Sequence, residues 1–245
     1  MHVSPLRIVA VGLVAVTAVS VELSAREDST AAEGGRYEYR YGLPAGARVN
    51  TLSDEPEALD FRIAENPEFS EADLVSLAEY HGVYPLSVEE LRAAITAYGE
   101  YAEISRRVVE SEIRRNPGEP PYEPVGTVVE QQAALMRTSF RFLFFGRDYD
   151  YLLSSMTEEL PGDAILVRSA MTESLDGGLA AIHYSWYLEP LDDGDAEDAE
   201  TYVRYFGRVD FAEQPNGLRP ALELFARGGV ERLLESIYRY ARTGR

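Results

Sequence analysis

Arg168, Arg204, Arg208 and His183 are spaced so that three separate stretches can bring them onto one surface, and the chemistry such a grouping offers is capture of an anion. In LAAIHYSWYLEP (179–190), Ile182, Tyr184, Trp186 and Leu188 alternate with His183, Ser185 and Tyr187. A strand would turn the first set toward a core and the second to the opposite side. The same alternation leaves Arg168 outward in 164–171, and Tyr202, Arg204, Phe206, Arg208 and Asp210 outward in 201–211. Arginine presents paired donors to carboxylate, sulfate or phosphate, and tyrosine adds a stacking surface. The candidate ligand-binding face is therefore Arg168, His183, Tyr187, Arg204 and Arg208, and the partner expected there is an anionic ligand or a cell-surface protein. The competing reading is an ordinary exposed face, its arginines lying over tyrosines and paired with nearby acids. A register slip of one residue would exchange the two faces.

The same strand raises a catalytic alternative. His183 and Ser185 share a face, and Asp210 supplies a third group, so a cofactor-independent hydrolase stands as the second reading. Against it, side chains at i and i+2 on a flat strand point in parallel, whereas a nucleophile must lie within hydrogen-bond reach of its base. The chain has no Gly-x-Ser-x-Gly elbow. Asp148 with Asp150, and Glu158 with Glu159, are carboxylate pairs whose adjacency alone gives no sign of a raised pKa. Binding is preferred to catalysis.

Residue types that are missing narrow the chemistry further. There is no Cys, which removes disulfides, thiolate nucleophiles and cysteine-held zinc or iron–sulfur sites. There is no Lys, which removes a phosphate-loop lysine and every Schiff base. Of the 3 His, only His81 and His183 lie beyond the amino-terminal segment, too few for a three-histidine zinc site. No cofactor and no metal are expected. The 42 acidic residues against 23 basic ones, all Arg, give a net charge of −19. That composition resembles the proteins of extreme halophiles, where molar salt screens the self-repulsion of a hydrated acidic surface. The acidic loop DDGDAEDAE does not place oxygen ligands and Gly at EF-hand positions, and reads as solvated surface.

The elements that must position these residues follow from periodicity. RYEYRY (36–41) alternates as a strand, and Leu59 to Ile63 is a possible short one. Ser70 with Asp73, and Ser87 with Glu90, carry capping-box spacing, so helices are expected over 70–82 and from 87 to 115. Val128, Gln132, Leu135, Met136 and Phe140 recur at helical spacing up to Gly146, and a shorter helix is expected over 148–156. Strands are expected at 163–171, 179–190 and 200–211, the first two joined through Asp176-Gly177, a hairpin signal. Pro220 begins a final helix with an apolar stripe through Leu233, Leu234 and Ile237. The helix pair 70–115 has the outline of a helix-turn-helix, but SVEELRAAITAYGEY offers one Arg against three Glu, so no nucleic-acid partner is expected. The expected fold is α+β, a small antiparallel sheet with helices packed on one face. The expected organisation is an export segment over 1–25, a polar linker over 26–35 and a single domain over 36–245, helix-rich in 70–158, with the sheet in 163–211 and helices in 219–242.

Export is read from Ile8 to Val21, 14 residues without a charge, preceded by Arg7 and followed by Glu22, Arg26, Glu27 and Asp28. This is the plan of a cleaved signal peptide. With Leu6 and Leu23 it comes close to bilayer length, so an uncleaved anchor is the alternative, and a buried strand the third. Membrane contact is expected only through residues 6–23. Either of the first two readings puts the domain outside the cytoplasm, secreted or held at the membrane.

Overall fold

Alternation with period two governs the middle of this chain, and the computed structural model turns almost all of it into sheet. The structure describes residues 57–65, 73–116, 122–142, 145–191 and 199–244, all within the compact unit Arg36–Arg245. The export segment, the linker, the strand over 36–41, the cap at Ser70 and the acidic loop lie outside the described residues. No helix among the described residues is long and apolar enough to cross a membrane.

The strands are β1 (Glu57–Glu65), β2 (Leu74–Tyr84), β3 (Val108–Arg114), β4 (Thr127–Phe142), β5 (Phe145–Glu159), β6 (Ile165–Ser174), β7 (Leu179–Pro190) and β8 (Thr201–Phe211). They form one antiparallel sheet of 8 strands in the order β1-β2-β8-β7-β6-β5-β4-β3. Tyr84 pairs with Thr201 and Leu74 with Phe211, so β8 fits between the amino-terminal hairpin and β7. The helices are α1 (Val88–Thr96), α2 (Tyr101–Ile104) and α3 (Leu218–Thr243). The α+β class, the antiparallel sheet and the packing of helices on it agree with expectation; the sheet is much larger than expected.

Three expected helices are strands. Leu74–Tyr84 is β2, entered through the Asp73 amide, which donates to the Phe211 carbonyl at 3.0 Å. Thr127–Phe142 is β4 and Phe145–Glu159 is β5, paired from Thr127 with Glu159 to Phe142 with Phe145. The fourth expected helix starts where the capping box puts it. Ser87 Oγ accepts from the Glu90 amide, and the Glu90 carboxylate accepts from the Ser87 amide at 2.9 Å. It then stops at Thr96 rather than 115, and the remainder holds α2 and β3. The helix-rich character expected over 70–158 is thus corrected to strands with two short helices. Helical i, i+4 spacing and strand alternation share every fourth residue, because four is a multiple of two. Gln132, Met136 and Phe140 satisfy both patterns, and pairing on both sides of β4 decides for the strand.

One face of the sheet and the three helices enclose the main core. Leu91, Ala94 and Ile95 of α1, Leu218, Leu222 and Leu234 of α3, and Leu153, Trp186 and Tyr205 of the strands belong to it. At the turn between β6 and β7, Gly177 has φ 69° and the Asp176 carboxylate accepts from the Gly178 amide at 2.9 Å, as the Asp-Gly signal requires.

Candidate functional site

Residues of β4 to β8 that point toward the helices do not meet them everywhere, and a cavity of about 160 Å³ remains beneath α3. Its helical wall is Leu222, Ala226, Gly229, Val230 and Leu233. Those residues recur at the spacing of one helix face, and the small side chains at 226 and 229 leave the space.

The sheet side of the cavity is aromatic. Tyr151, Tyr184, Trp186 and Tyr205 line it, together with Tyr98 and Tyr101 from the segment after α1. The rings touch one another: Trp186 and Tyr205 have centroids 4.6 Å apart, Tyr184 and Tyr205 6.3 Å, and Tyr98 and Tyr101 5.3 Å. Gly207 makes this possible, since a Cβ there would stand 2.3 Å from the Tyr205 hydroxyl. Burial raises the pKa of Tyr98, Tyr101, Tyr151 and Tyr205, and pushes Tyr184 up to about 12. The phenols are therefore neutral at ordinary pH, suited to donating hydrogen bonds and to stacking.

Polar atoms in the wall are few and placed. Tyr98 Oη lies 2.9 Å from Ser155 Oγ and 2.8 Å from Ser169 Oγ, and Ser169 donates to Ser155 at 3.1 Å. This buried triangle of hydroxyls meets the cavity at Tyr98 and Ser169. Arg107, between α2 and β3, is the charged side chain among the described lining residues. Those residues include no His, Asp or Glu.

The face opposite the helices carries the residues singled out in the sequence, and the register does bring them together. His183 pairs with Arg208, Tyr187 with Arg204, and Arg168 with Ser185. The expected openness is corrected: Arg168, Arg204 and Arg208 are 6%, 5% and 6% exposed. Each is engaged by a carboxylate of its own face. Arg168 donates to Glu158 at 2.8 and 2.5 Å and to the Glu123 carbonyl at 2.9 Å. The Glu158 carboxylate, fully buried, also accepts from the amides of Val125 and Gly126 at 2.6 and 3.0 Å. Arg204 pairs with Glu79, and Arg208 with Asp210 at 2.6 and 2.5 Å. The His183 ring nitrogen Nδ1 lies 2.8 Å from the Tyr122 hydroxyl, and Tyr187 donates to Glu189 at 3.2 Å. Ser185, read as a nucleophile for the hydrolase alternative, is buried, while His183 faces Tyr122 and Asp210 binds Arg208.

The cavity was not foreseen from sequence. Tyr184 and Trp186 were placed on the core side, but a pocket needs the long strands β4 and β5 and the close approach of α3, which were read as helices or as an ordinary helical cover. The available signal was the aromatic content, 16 Tyr and 9 Phe, on strand faces that a packed core ordinarily fills with aliphatic side chains.

No family model matches the chain, and no curated protein matches it. Among solved structures it is similar to a STAR-related lipid transfer protein fragment from Xanthomonas axonopodis, 15% identical, covering 75% of this chain and 99% of that one with a TM-score of 0.47. Human StAR-related lipid transfer protein 5 is 13% identical, with 74% of this chain and 86% of that one covered and a TM-score of 0.48. The Zhui aromatase/cyclase from Streptomyces sp. R1128 is 13% identical, with 69% and 94% covered and a TM-score of 0.45. At this distance the chemistry of the site has to be read from its own residues.

Proposed function

We propose that the domain binds a small apolar molecule carrying a ring, held in the cavity beneath α3. The observation that carries this reading is the aromatic wall of Tyr184, Trp186 and Tyr205 lining the cavity together with the small residues Ala226 and Gly229. A space of about 160 Å³ is close to the ~150 Å³ of an apolar cavity known to take up benzene, so it suits one ring with a short substituent. A long acyl chain would require the walls to move apart. Polar groups few in number and fixed in place are what such pockets use to orient a ligand, and the Tyr98–Ser169 hydroxyls fill that part.

Trp186 is the single tryptophan of the chain and lines the cavity, so occupancy is read directly from its emission. Toluene, phenol and 2-phenylethanol titrated into the full chain are expected to change that emission and to raise Tm through preferential binding to the folded state. Ala226→Leu, which fills the cavity from α3, is expected to weaken binding about tenfold or more while the domain stays folded, because overpacking costs roughly 1–3 kcal/mol. The reading fails if no probe alters Trp186 emission or Tm, or if the Leu variant binds as the parent does.

The apolar segment 6–23 supplies the setting in this proposal: the binding domain works outside the cytoplasm, secreted or anchored. Intact mass of native protein from the host's membrane fraction and medium tests it, and a full-length chain in the cytosol overturns it.

A further inference from the structure

Arg107 enters the cavity wall by a tightly specified path. The Ser105 amide donates to the Tyr101 carbonyl at 2.8 Å to end α2, and the Ser139 amide donates to the Arg107 carbonyl at 2.7 Å, fixing the backbone against β4. From there the side chain runs under α3. Its guanidinium donates to the Phe225 carbonyl at 3.4 Å and lies 5.6 Å from the centre of the Phe140 ring.

Helix α3 crosses directly above it. A Cβ at position 229 would fall 2.2 Å from one terminal nitrogen of Arg107 and 2.3 Å from the central carbon and the other nitrogen. Glycine inside a helix costs about 1 kcal/mol relative to alanine. Here that cost is what admits a cation to this depth.

The electrostatics of the spot point to an anion. Burial, and next the like charge of Arg232, lower the Arg107 pKa, while Tyr184 raises it. Arginine nonetheless stays charged, so the protein holds a half-buried cation beside a second cation. An anion within the cavity meets a forked donor at Arg107. Tyr184, a neighbour of Arg107, also lines the aromatic wall, so a ligand whose acid reaches the guanidinium lays its ring against that wall. With a net charge of −19 the rest of the molecule repels anions, which makes this local cation decisive for capturing one.

We propose that the ligand is an anion, a ring-bearing molecule with a short acidic arm, its carboxylate on Arg107 and its ring against Tyr184, Trp186 and Tyr205. This inference rests on the cavity reading and adds the charge of the occupant.

Calorimetric titration of the full chain with phenylacetate and with 2-phenylethanol, matched in ring and length but not in charge, tests it. The parent is expected to bind the acid about tenfold or more tightly than the alcohol, the margin of one charge-assisted hydrogen bond. Arg107→Met keeps the stem and removes the charge; it is expected to lose that preference, its acid-to-alcohol affinity ratio falling to about one. Arg107→Lys, which keeps the charge without the fork, is expected to retain part of the preference. Equal affinity for acid and alcohol in the parent overturns the charge assignment and leaves the cavity reading standing. Failure of both probes to bind overturns the cavity reading itself. If Arg107→Met lowers Tm so far that it cannot be titrated, the parent's acid-to-alcohol ratio together with the Lys variant decides the matter.

Discussion

At position 229 a hydrogen atom stands where every other residue type would put carbon into a guanidinium. That contact works against a substitution that usually stabilises. Gly→Ala inside a helix ordinarily stabilises by about 1 kcal/mol. Here Gly229→Ala is expected to fall short of that gain, because the new methyl must displace the Arg107 guanidinium, the far end of a flexible side chain. Thermal unfolding of Gly229→Ala, Arg107→Ala and the double variant checks it: the full alanine gain at 229 should return once Arg107 is truncated, giving a coupling that distant sites do not show. The ion pairs of the opposite face are the other residue-scale feature. Arginines at 168, 204 and 208 were legible in the sequence as a cluster, and pleat parity placed them on one side correctly. What parity leaves out is the carboxylate beside Arg168 and Arg204, since Glu158 and Glu79 lie on other strands that only the register brings near, whereas Asp210 stands two residues from Arg208 on the same strand.

Elements were legible where their ends carry chemistry. The start of α1 was readable because Ser87 and Glu90 satisfy each other's backbone amides, and Ser87→Ala is expected to cost about 1 kcal/mol, measurable as a lower urea midpoint with an unchanged slope. The β6–β7 hairpin was readable because Asp-Gly supplies the left-handed turn, and α3 because its stripe has no strand interpretation. The stretches 74–84, 127–142 and 145–159 were misread. The first rested on the capping-box spacing of Ser70 and Asp73, and in the second Val128, Gln132, Met136 and Phe140 fall four apart, a spacing that satisfies both geometries, among Glu, Gln, Arg and Ala, which are good helix formers. Pairing across β4 and β5 over their whole length outweighs that propensity, and no local window of sequence contains the pairing partner. The edge strand β3 shows the same competition from the other side. Val109 and Ile113 are 56% and 45% exposed there, while Glu110, Glu112 and Arg114 discourage another chain from adding to the edge.

For the whole molecule, tyrosine is both the wall of the cavity and the weak point in alkali. Burial raises Tyr149, Tyr184 and Tyr202 from the ordinary 10.0 to about 12. A folded-state pKa above the unfolded one means that, between pH 10 and 12, the unfolded chain gives up protons that the folded chain keeps. The stability these groups lend is therefore complete below pH 10 and falls away as pH climbs through that window. Tm should be flat up to about that pH and then drop steeply, with tyrosinate absorbance appearing in two stages, exposed phenols first and buried ones together with unfolding. The sheet order has a further consequence, one of timing. Each residue of β2 waits for a partner in β8 that is synthesised more than a hundred residues later, which at ~5–20 residues per second is about 6–27 s. Throughout that interval one edge of the β1–β2 hairpin is bare, and α3, the roof of the cavity, is made later still. A ribosome stalled anywhere before residue 218 therefore holds a sheet with no pocket, so ligand capture belongs to the finished chain and cannot guide its early folding.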